Sequence, residues 1–297
     1  MRTDRYALLG WPVQHSVSPA MQEAAFGAAG IPATYERIPT PREKLAQTVK
    51  DLRREHFAGW NVTVPHKQAM AGLVDELDES VSATLSVNTV VNRDNVLKGY
   101  STDGHGLEMA LHEAFQLHPA GLSVAFAGCG GAATATAVHL ARRGVERLIL
   151  LNRTLARAQT LATKIEQVAP ACHTTCLPLQ DDPDVISNAL REVDVLVQAT
   201  SLGLHAEDAL PLPVAVLPER CAVYDMIYRT TPFLQEAAAA GHATADGKGM
   251  LLHQGARSFT LWTGLEPPLE VMRAALAAAL GSASENPVGQ VPSRKQR

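Results

Sequence analysis

Short apolar runs alternate along this chain with segments in which apolar residues recur at helical spacing. This alternation predicts an α/β fold built on parallel sheets. Strands are expected at residues 6–11, 34–38, 59–64, 122–127, 147–151, 193–198 and 221–225, with a hairpin of 87–92 and 96–101 turning at 93–95. Helices are expected from residue 18, at 42–53 and 103–115, from a Gly-rich turn to residue 143, and at 155–168, 232–240, 250–263 and 269–280.

The segment 59–67 reads Gly-Trp-Asn-Val-Thr-Val-Pro-His-Lys. It is a predicted strand that carries polar side chains on one face and is followed by a histidine and a lysine. Period-two alternation directs the two valines to one face and Asn61 with Thr63 to the other. Pro65 ends the strand, so Lys67 falls in or near the first turn of a following helix. The helix macrodipole disfavours a cation there, which suits Lys67 to exchange a proton with a substrate oxygen. A surface lysine after a strand is the alternative.

A Gly-rich turn follows the apolar run 122–127 and opens a helix. Gly128, Gly130 and Ala133 fit the pattern G-x-G-x-x-G/A. In that pattern the glycines let the backbone approach a pyrophosphate, and the helix N-terminus offers free N–H groups. The placement between strand and helix indicates a dinucleotide site, and a tight turn without a ligand is the alternative.

The end of the next predicted strand bears on the choice of cofactor. Asn152, Arg153 and Thr154 follow it, and Arg157 lies one helical turn further. An acidic residue at this place would bind the ribose 2′-hydroxyl of NAD, whereas arginine suits the 2′-phosphate of NADP. The sequence therefore predicts NADP (NADPH), with NAD as the weaker possibility. A solvated helix face is the alternative for Arg157.

Size and composition favour a two-domain globular protein over a nucleic-acid-binding or membrane-spanning one. A chain of 297 residues is long enough for two domains, each with its own core. A formal charge of −4 gives no reason to expect nucleic acid or an anionic membrane as a partner. No apolar run approaches a membrane-spanning length, and cysteines are sparse, so we expect a cytoplasmic protein with reduced thiols and no metal.

Seven segments, in this order, resemble those of shikimate dehydrogenases, and the resemblance covers the chain from about residue 6 to residue 280. They are 15–19, 61–67, 87–89, 101–104, the turn at Gly128, 152–154 and 246–251. The resemblance implies an N-terminal α/β substrate domain, residues 1–103, and a Rossmann-like doubly wound NADP-binding domain, residues 104–246. Residues 247–281 would be C-terminal helices that return to the substrate domain, and 282–297 a disordered tail.

The resemblance implies an enzyme, an oxidoreductase that reversibly reduces 3-dehydroshikimate to shikimate with NADPH. It would act in the shikimate pathway, which leads to chorismate and the aromatic amino acids, as a monomer or a homodimer. Lys67 and Asp103 would be the catalytic pair, and Ser16 and Ser18 would bind the substrate carboxylate. The implied substrate-binding residues are Ser16, Ser18, Thr63, Asn88, Asp103, Tyr228 and Gln254. The cofactor-binding residues would be Gly128, Gly130, Gly131, Ala132, Asn152, Arg153, Thr154, Arg157, Thr200, Met226 and Gly247.

Two residues depart from the family's usual pattern, because Ser101 and Gln198 stand where it usually has asparagine. An NAD-dependent quinate/shikimate dehydrogenase is the alternative within the same class. A non-catalytic paralogue that binds a nucleotide or metabolite would have no use for a proton donor such as Lys67. A folate-linked methylene dehydrogenase would leave the Ser16 and Ser18 pair without a purpose.

Overall fold

Two six-stranded sheets form the framework of the part of the chain that the computed structural model describes, residues 3–205 and 207–284. The predicted α/β class is confirmed, and each predicted strand is present with bounds shifted by no more than two residues. In the described part of the chain, none of the helices has the length and apolar character needed to cross a bilayer. The tail predicted to be disordered lies outside the described residues from 285 onward, whereas residues 282–284 continue the last helix.

The first sheet is mixed. Its strands are β1 (Asp4–Gly10), β2 (Ala33–Pro39), β3 (Gly59–Val62), β4 (Glu76–Leu77), β5 (Thr89–Arg93) and β6 (Val96–Tyr100), in the order β2-β1-β3-β5-β6-β4. The pairs β1–β2 and β1–β3 are parallel, whereas β3–β5 and β5–β6 are antiparallel. The β5–β6 pair is the predicted hairpin, with Asp94 and Asn95 at positive φ in its turn. The first sheet thus combines parallel pairs with the hairpin that the sequence predicted.

The second sheet is wholly parallel. Its strands are β7 (Ser123–Ala127), β8 (Arg147–Asn152), β9 (His173–Pro178), β10 (Val195–Gln198), β11 (Ala222–Asp225) and β12 (Thr244–Ala245), in the order β12-β11-β10-β7-β8-β9. The strand order changes direction between β10 and β7, and ligands of doubly wound folds bind at the carboxyl ends of the strands flanking such a point. Every residue of β7 is buried, as expected for a central parallel strand.

Ten α-helices in the described residues flank the two sheets. Their bounds are α1 (Ser18–Ala28), α2 (Leu45–Arg54), α3 (Lys67–Met70), α4 (Asp103–Phe115), α5 (Gly131–Arg142), α6 (Leu155–Val168), α7 (Pro183–Leu190), α8 (Pro232–Ala239), α9 (Lys248–Thr263) and α10 (Leu269–Ser284). The last two return to the first sheet, where Phe259, Trp262 and Met272 are buried beside Tyr6 and Phe26. The indole N–H of Trp262 also donates to Val90 O over 2.9 Å.

Sequence patterns missed β9 and α7, as well as the two-residue strands β4 and β12. The strand β9 lies at a sheet edge and none of its six residues is fully buried, so its apolar alternation is weak. The start of α7 does carry a local signal, because Asp182 accepts from Asp184 N and Pro183 occupies the first turn. Both β9 and α7 lie near the Gly-rich turn at residues 128–131, where a cleft opens.

Candidate active site

A cleft of about 380 Å³ opens between the ends of β1 and β3, the loop after β11 and the first turns of α9. We call it the lysine cleft, after Lys67. It brings together side chains from six separate segments of the chain. All eight residues predicted for catalysis or substrate binding line it: Ser16, Ser18, Thr63, Lys67, Asn88, Asp103, Tyr228 and Gln254.

The loop that carries Lys67 leaves the sheet earlier than expected. Strand β3 ends at Val62, and Val64 is 65% exposed instead of sharing the buried face of Val62. Lys67 is the first residue of α3, which has four residues. Because few peptide dipoles add in one turn, the macrodipole of α3 is small. The setting of Lys67 therefore depends on its side-chain partner more than on the helix.

That partner is Asp103, the first residue of α4. Lys67 Nζ lies 2.6 Å from Asp103 Oδ2, and the side chains are 22% and 6% exposed. The second carboxylate oxygen of Asp103 accepts from Asn88 Nδ2 over 2.8 Å. A carboxylate with a charged partner on one oxygen and an amide on the other is held in one orientation. The ammonium group is consequently fixed where it faces the open cleft.

Asn88 joins Asp103 to the backbone at the start of α4. Its side-chain oxygen accepts from Thr102 N over 2.8 Å, and its amide nitrogen also lies 2.9 Å from Thr102 Oγ1. Since Thr102 and Asp103 are consecutive, one amide side chain positions both. Thr102 is buried and belongs to the site without having been predicted for it.

A second layer of hydrogen bonds lies behind Asn88. Asn61 lines the cleft, and its amide nitrogen lies 3.0 Å from Thr89 Oγ1 and 3.1 Å from Ser258 Oγ. The hydroxyl of Tyr35 donates to Asn61 Oδ1 over 2.7 Å. Burial raises the pKa of Tyr35, so its hydroxyl keeps the proton that it donates.

Asn61 and Ser258 could have been found from the sequence. Asn61 shares a strand face with Thr63 by period-two alternation. Ser258 follows Gln254 by four residues, which places both on the same face of α9. The contribution of Tyr35 carries no such signal, because it comes from a different strand.

Two helices that supply site residues, α4 and α9, cross at close range. A Cβ on Gly106 of α4 would lie 2.8 Å from Met250 O and 2.9 Å from Gln254 Cβ. Only glycine leaves room for this approach. Asp103 begins α4 and Gln254 lies on α9, so the helix crossing sets the distance between these two side chains across the cleft.

The second cleft, of about 850 Å³, lies at the carboxyl ends of β7, β8 and β10. We call it the glycine-turn cleft. Seven of the residues predicted for the cofactor line it: Gly128, Gly130, Asn152, Arg153, Thr154, Arg157 and Thr200. Gly131 and Ala132 belong instead to the first turn of α5, and Met226 and Gly247 line the lysine cleft.

The Gly-rich turn suits a pyrophosphate. Gly128 has φ +104°, and a Cβ there would lie 2.8 Å from Thr200 Cγ2. A Cβ on Gly130 or Gly131 would meet no atom within 4 Å, so the space before the N-terminus of α5 is open. Phosphate oxygens can therefore approach the free N–H groups of that helix. These features fit a bound dinucleotide.

Arg153 and Arg157 both line the glycine-turn cleft. Neither guanidinium forms an ion pair with a carboxylate of residues 3–205 or 207–284. Asn152 shapes the same region, because it accepts from Cys129 N over 3.0 Å and donates to Thr154 O over 2.8 Å. Two uncompensated guanidinium groups beside an open cleft provide a site for a phosphate group.

Further residues of this cleft were missed because β9 and α7 were missed. They are Leu179, Gln180, Asp181, Pro183 and Ile186. Cys129 also lines the cleft, and burial raises the pKa of its thiol to about 12. The thiol therefore stays protonated near neutral pH and takes no part as a thiolate.

Residues that line the two clefts come close together at the ends of β10 and β11. Thr200 follows β10 and lines the glycine-turn cleft, while Met226 follows β11 and lines the lysine cleft. The two strands pair in parallel, and Met226 N donates to Gln198 O over 2.9 Å. A ligand extended along the glycine-turn cleft would therefore reach the lysine cleft at this junction.

Gln198 is buried and does not line either cleft. Its side-chain oxygen accepts from Thr200 N over 2.5 Å, and its nitrogen donates to Leu202 O over 2.8 Å. The longer side chain thus holds the loop after β10. Ser101 also lies outside the cleft linings, and its N–H donates to Ser80 Oγ over 3.0 Å. The two residues that depart from the family's pattern therefore hold loops behind the clefts and do not line the clefts themselves.

Three family models match consecutive parts of the chain. Residues 8–90 match the shikimate dehydrogenase substrate binding domain, and residues 108–205 match shikimate / quinate 5-dehydrogenase. Residues 247–277 match the shikimate 5'-dehydrogenase C-terminal domain. Together the matched ranges contain most of the residues that line the two clefts.

Individual proteins resemble the chain over most of its length. The shikimate dehydrogenase (NADP(+)) of Methanopyrus kandleri is 40% identical over 279 residues, which are 92% of this chain and 95% of that protein. The shikimate 5-dehydrogenase of Thermus thermophilus, solved with NADP(H) and shikimate, is 37% identical with a TM-score of 0.81, covering 93% and 100%. The quinate dehydrogenase of Corynebacterium glutamicum, solved with NAD, is 31% identical with a TM-score of 0.84, covering 93% and 99%.

Proposed function

Because the chain belongs to the shikimate dehydrogenase family, we propose that it catalyses the reversible reduction of 3-dehydroshikimate to shikimate with NADPH. One observation carries the proposal above all: Lys67 Nζ is held 2.6 Å from Asp103 in a cleft that adjoins the glycine-turn cleft. The reaction belongs to the shikimate pathway towards chorismate and the aromatic amino acids, and we place the enzyme in the cytoplasm. The site is complete within one chain, so either a monomer or a homodimer would be active.

The proposed chemistry divides simply between the cofactor and the protein. NADPH, when bound, supplies the hydride. Lys67 donates a proton to the carbonyl oxygen as it becomes a hydroxyl, and its positive charge stabilises the negative charge that develops on that oxygen. Asp103 orients the ammonium group and accepts a hydrogen bond from a neighbouring substrate hydroxyl. In the reverse direction Lys67 takes the proton back.

The other cleft residues bind and orient the ring. Thr63, Asn88 and Gln254 would hold its hydroxyl groups, and Tyr228 would approach from the side of the cofactor. Ser16 and Ser18 would bind the carboxylate at the opposite end of the cleft. Holding several groups at once limits the ring to one orientation, so that its carbonyl carbon faces the junction of the two clefts.

The domain division belongs to the same proposal. Residues 1–103 would form the substrate domain, 104–246 the NADP-binding domain, and 247–281 the helices that complete the substrate domain. The two crossings between domains fall at Asp103 and near Gly247 to Gly249. Both points adjoin the lysine cleft, so we propose that the domains close around the substrate about these points.

The cofactor residues are proposed on the same basis. The pyrophosphate would lie at Gly128, Gly130, Gly131 and Ala132, and the 2′-phosphate would lie between Arg153 and Arg157. Asn152 and Thr154 would shape the adenosine side of the site. Thr200, Met226 and Gly247 would contact the nicotinamide half where the clefts meet.

A quinate dehydrogenase that uses NAD is the second candidate. Its support is the close structural similarity to the quinate dehydrogenase of Corynebacterium glutamicum. Arg153 and Arg157 weigh against it, because NAD has no 2′-phosphate for them to bind. The residues proposed to hold ring hydroxyls do not separate the two substrates.

Steady-state rates with shikimate and quinate, each with NADP and with NAD, test the proposal directly. We expect the highest kcat/KM for shikimate with NADP. A kcat/KM that favours quinate with NAD would establish the second candidate instead. Tight binding of NADP without turnover of either substrate would identify a binding protein and overturn both.

Replacing Arg153 with alanine tests the cofactor assignment. We expect KM for NADP to rise by about 10- to 150-fold, equivalent to about 1.5–3 kcal/mol for a lost charge-assisted contact, with KM for NAD nearly unchanged. Arg191→Ala removes the same charge from an exposed site at the end of α7 and is the matched control. Equal losses with both cofactors would show that Arg153 is structural.

A further inference from the structure

Arg37 is a cation beside the lysine cleft that the proposed chemistry does not use. It lies on β2 in register with Leu8 of β1, and Leu8 lines the cleft. Its Nε and Nη2 both donate to the carbonyl oxygen of Ser16, over 2.9 and 2.6 Å. Arg37 thus attaches directly to the segment that carries Ser16 and Ser18.

This segment presents two hydroxyl groups to the cleft. Ser16 Oγ lies 3.2 Å from Ser18 Oγ and accepts from Ser18 N over 3.3 Å. The Arg37 guanidinium contacts the Ser16 carbonyl, so standard bond lengths keep it within about 7 Å of Ser16 Oγ. An anion bound by the two hydroxyl groups would therefore lie close to a permanent positive charge.

The charge of Arg37 is available to such an anion. Lys67, a cation that lines the cleft, is compensated by Asp103 at 2.6 Å. Among residues 3–205 and 207–284, no carboxylate lies within ion-pair distance of Arg37.

We propose that Arg37 is a substrate-binding determinant, which holds the segment of Ser16 and Ser18 in place and compensates the negative charge of the substrate carboxylate. This rests on the proposed function, in which the substrate is a carboxylate. Two neutral hydroxyl groups and the N-terminus of α1 would offer a half-buried anion only partial charges, and burying an anion without a full counter-charge is costly. The net charge of −4 of the whole chain also disfavours an approaching anion, which increases the value of a local cation.

The test compares Arg37→Gln, Arg37→Lys and the wild type in steady-state kinetics with shikimate and NADP. We expect Arg37→Gln to raise KM for shikimate by about 5- to 30-fold at low salt, with kcat within about twofold and KM for NADP unchanged. Arg37→Lys, which retains the charge, should stay within about threefold of the wild-type KM. Arg54→Gln removes an exposed charge from α2 in the same domain and should leave KM unchanged.

The dependence of KM for shikimate on ionic strength is a second readout. It would be absent if Arg37 only held the Ser16 segment in place without acting through its charge. Added salt should raise the wild-type KM for shikimate, and the difference between the wild type and Arg37→Gln should shrink at about 0.5 M NaCl. This measurement on the wild type also serves if Arg37→Gln does not fold.

Three results would overturn the proposal. They are an unchanged KM in folded Arg37→Gln, an equal loss in Arg37→Lys, and a wild-type KM that does not depend on salt. Failure of the proposed function would appear differently, as a wild-type enzyme that does not turn over shikimate at all.

Discussion

Replacing Lys67 with alanine is expected to lower kcat by a factor on the order of 10² to 10⁴, with little change in KM for shikimate. The loss should be large because, under the proposed function, Lys67 supplies both the proton and the positive charge at the reacting oxygen. KM should change little because the proposed function assigns the ring to other side chains of the lysine cleft. Steady-state kinetics with shikimate and NADP in both directions would measure the effect.

Two further variants sharpen this experiment. Lys67→Arg keeps the positive charge, but a guanidinium does not release its proton near neutral pH, so most of the loss should persist. Lys50→Ala removes an exposed lysine from α2 in the same domain and should retain wild-type kcat. An unchanged kcat in folded Lys67→Ala would remove Lys67 from the chemistry.

Asp103→Asn is expected to lower kcat by a factor on the order of 10² to 10³ and to raise KM for shikimate. The substitution preserves size, and its amide oxygen can still accept from Asn88. It removes the negative charge that holds the ammonium group of Lys67 at 2.6 Å. It also removes the acceptor proposed for a substrate hydroxyl, which is why KM should change together with kcat.

The matched control for Asp103→Asn is Asp51→Asn. Asp51 pairs with Arg54 on the exposed face of α2, so its replacement removes an ion pair without reaching the cleft. Thermal unfolding would show whether Asp103→Asn remains folded. If the pair acts as one unit, the double variant Lys67→Ala/Asp103→Asn should lose less than the product of the two single losses. Strictly multiplicative losses would mean that the two side chains act independently.

Local sequence patterns were sufficient to predict most of the strands and helices that make up the two sheets and their flanking layers. The apolar run of β7 and the Gly-rich turn after it predicted a buried strand, a tight turn and a helix, and all three are present. The hairpin of β5 and β6 was equally readable, because Asp94 and Asn95 favour the positive φ that its turn requires. These signals are strong because they depend on residues that are neighbours in the chain.

Weaker local signals account for the errors. Strand β9 lies at an edge, where partial exposure removes the apolar alternation that marks a strand. The loop at Val64 departs from the expected strand because the parallel pairing of β1 with β3 ends at Val62, after which the chain turns towards Lys67. In the second case the pattern of side chains continued, but the strand pairing did not.

The sequence by itself determined the alternation of elements, the Gly-rich turn after β7, the two arginines after β8 and the presence of a lysine after β3. Only the tertiary structure decided the surroundings of that lysine. Asn61 receives a hydrogen bond from Tyr35 and contacts Ser258, 26 and 197 residues away along the chain. Arg37 of β2 reaches the carbonyl of Ser16 in the segment that follows β1. Periodicity reports neighbours a few residues apart, whereas these contacts depend on how whole elements pack, and hence on every side chain between them.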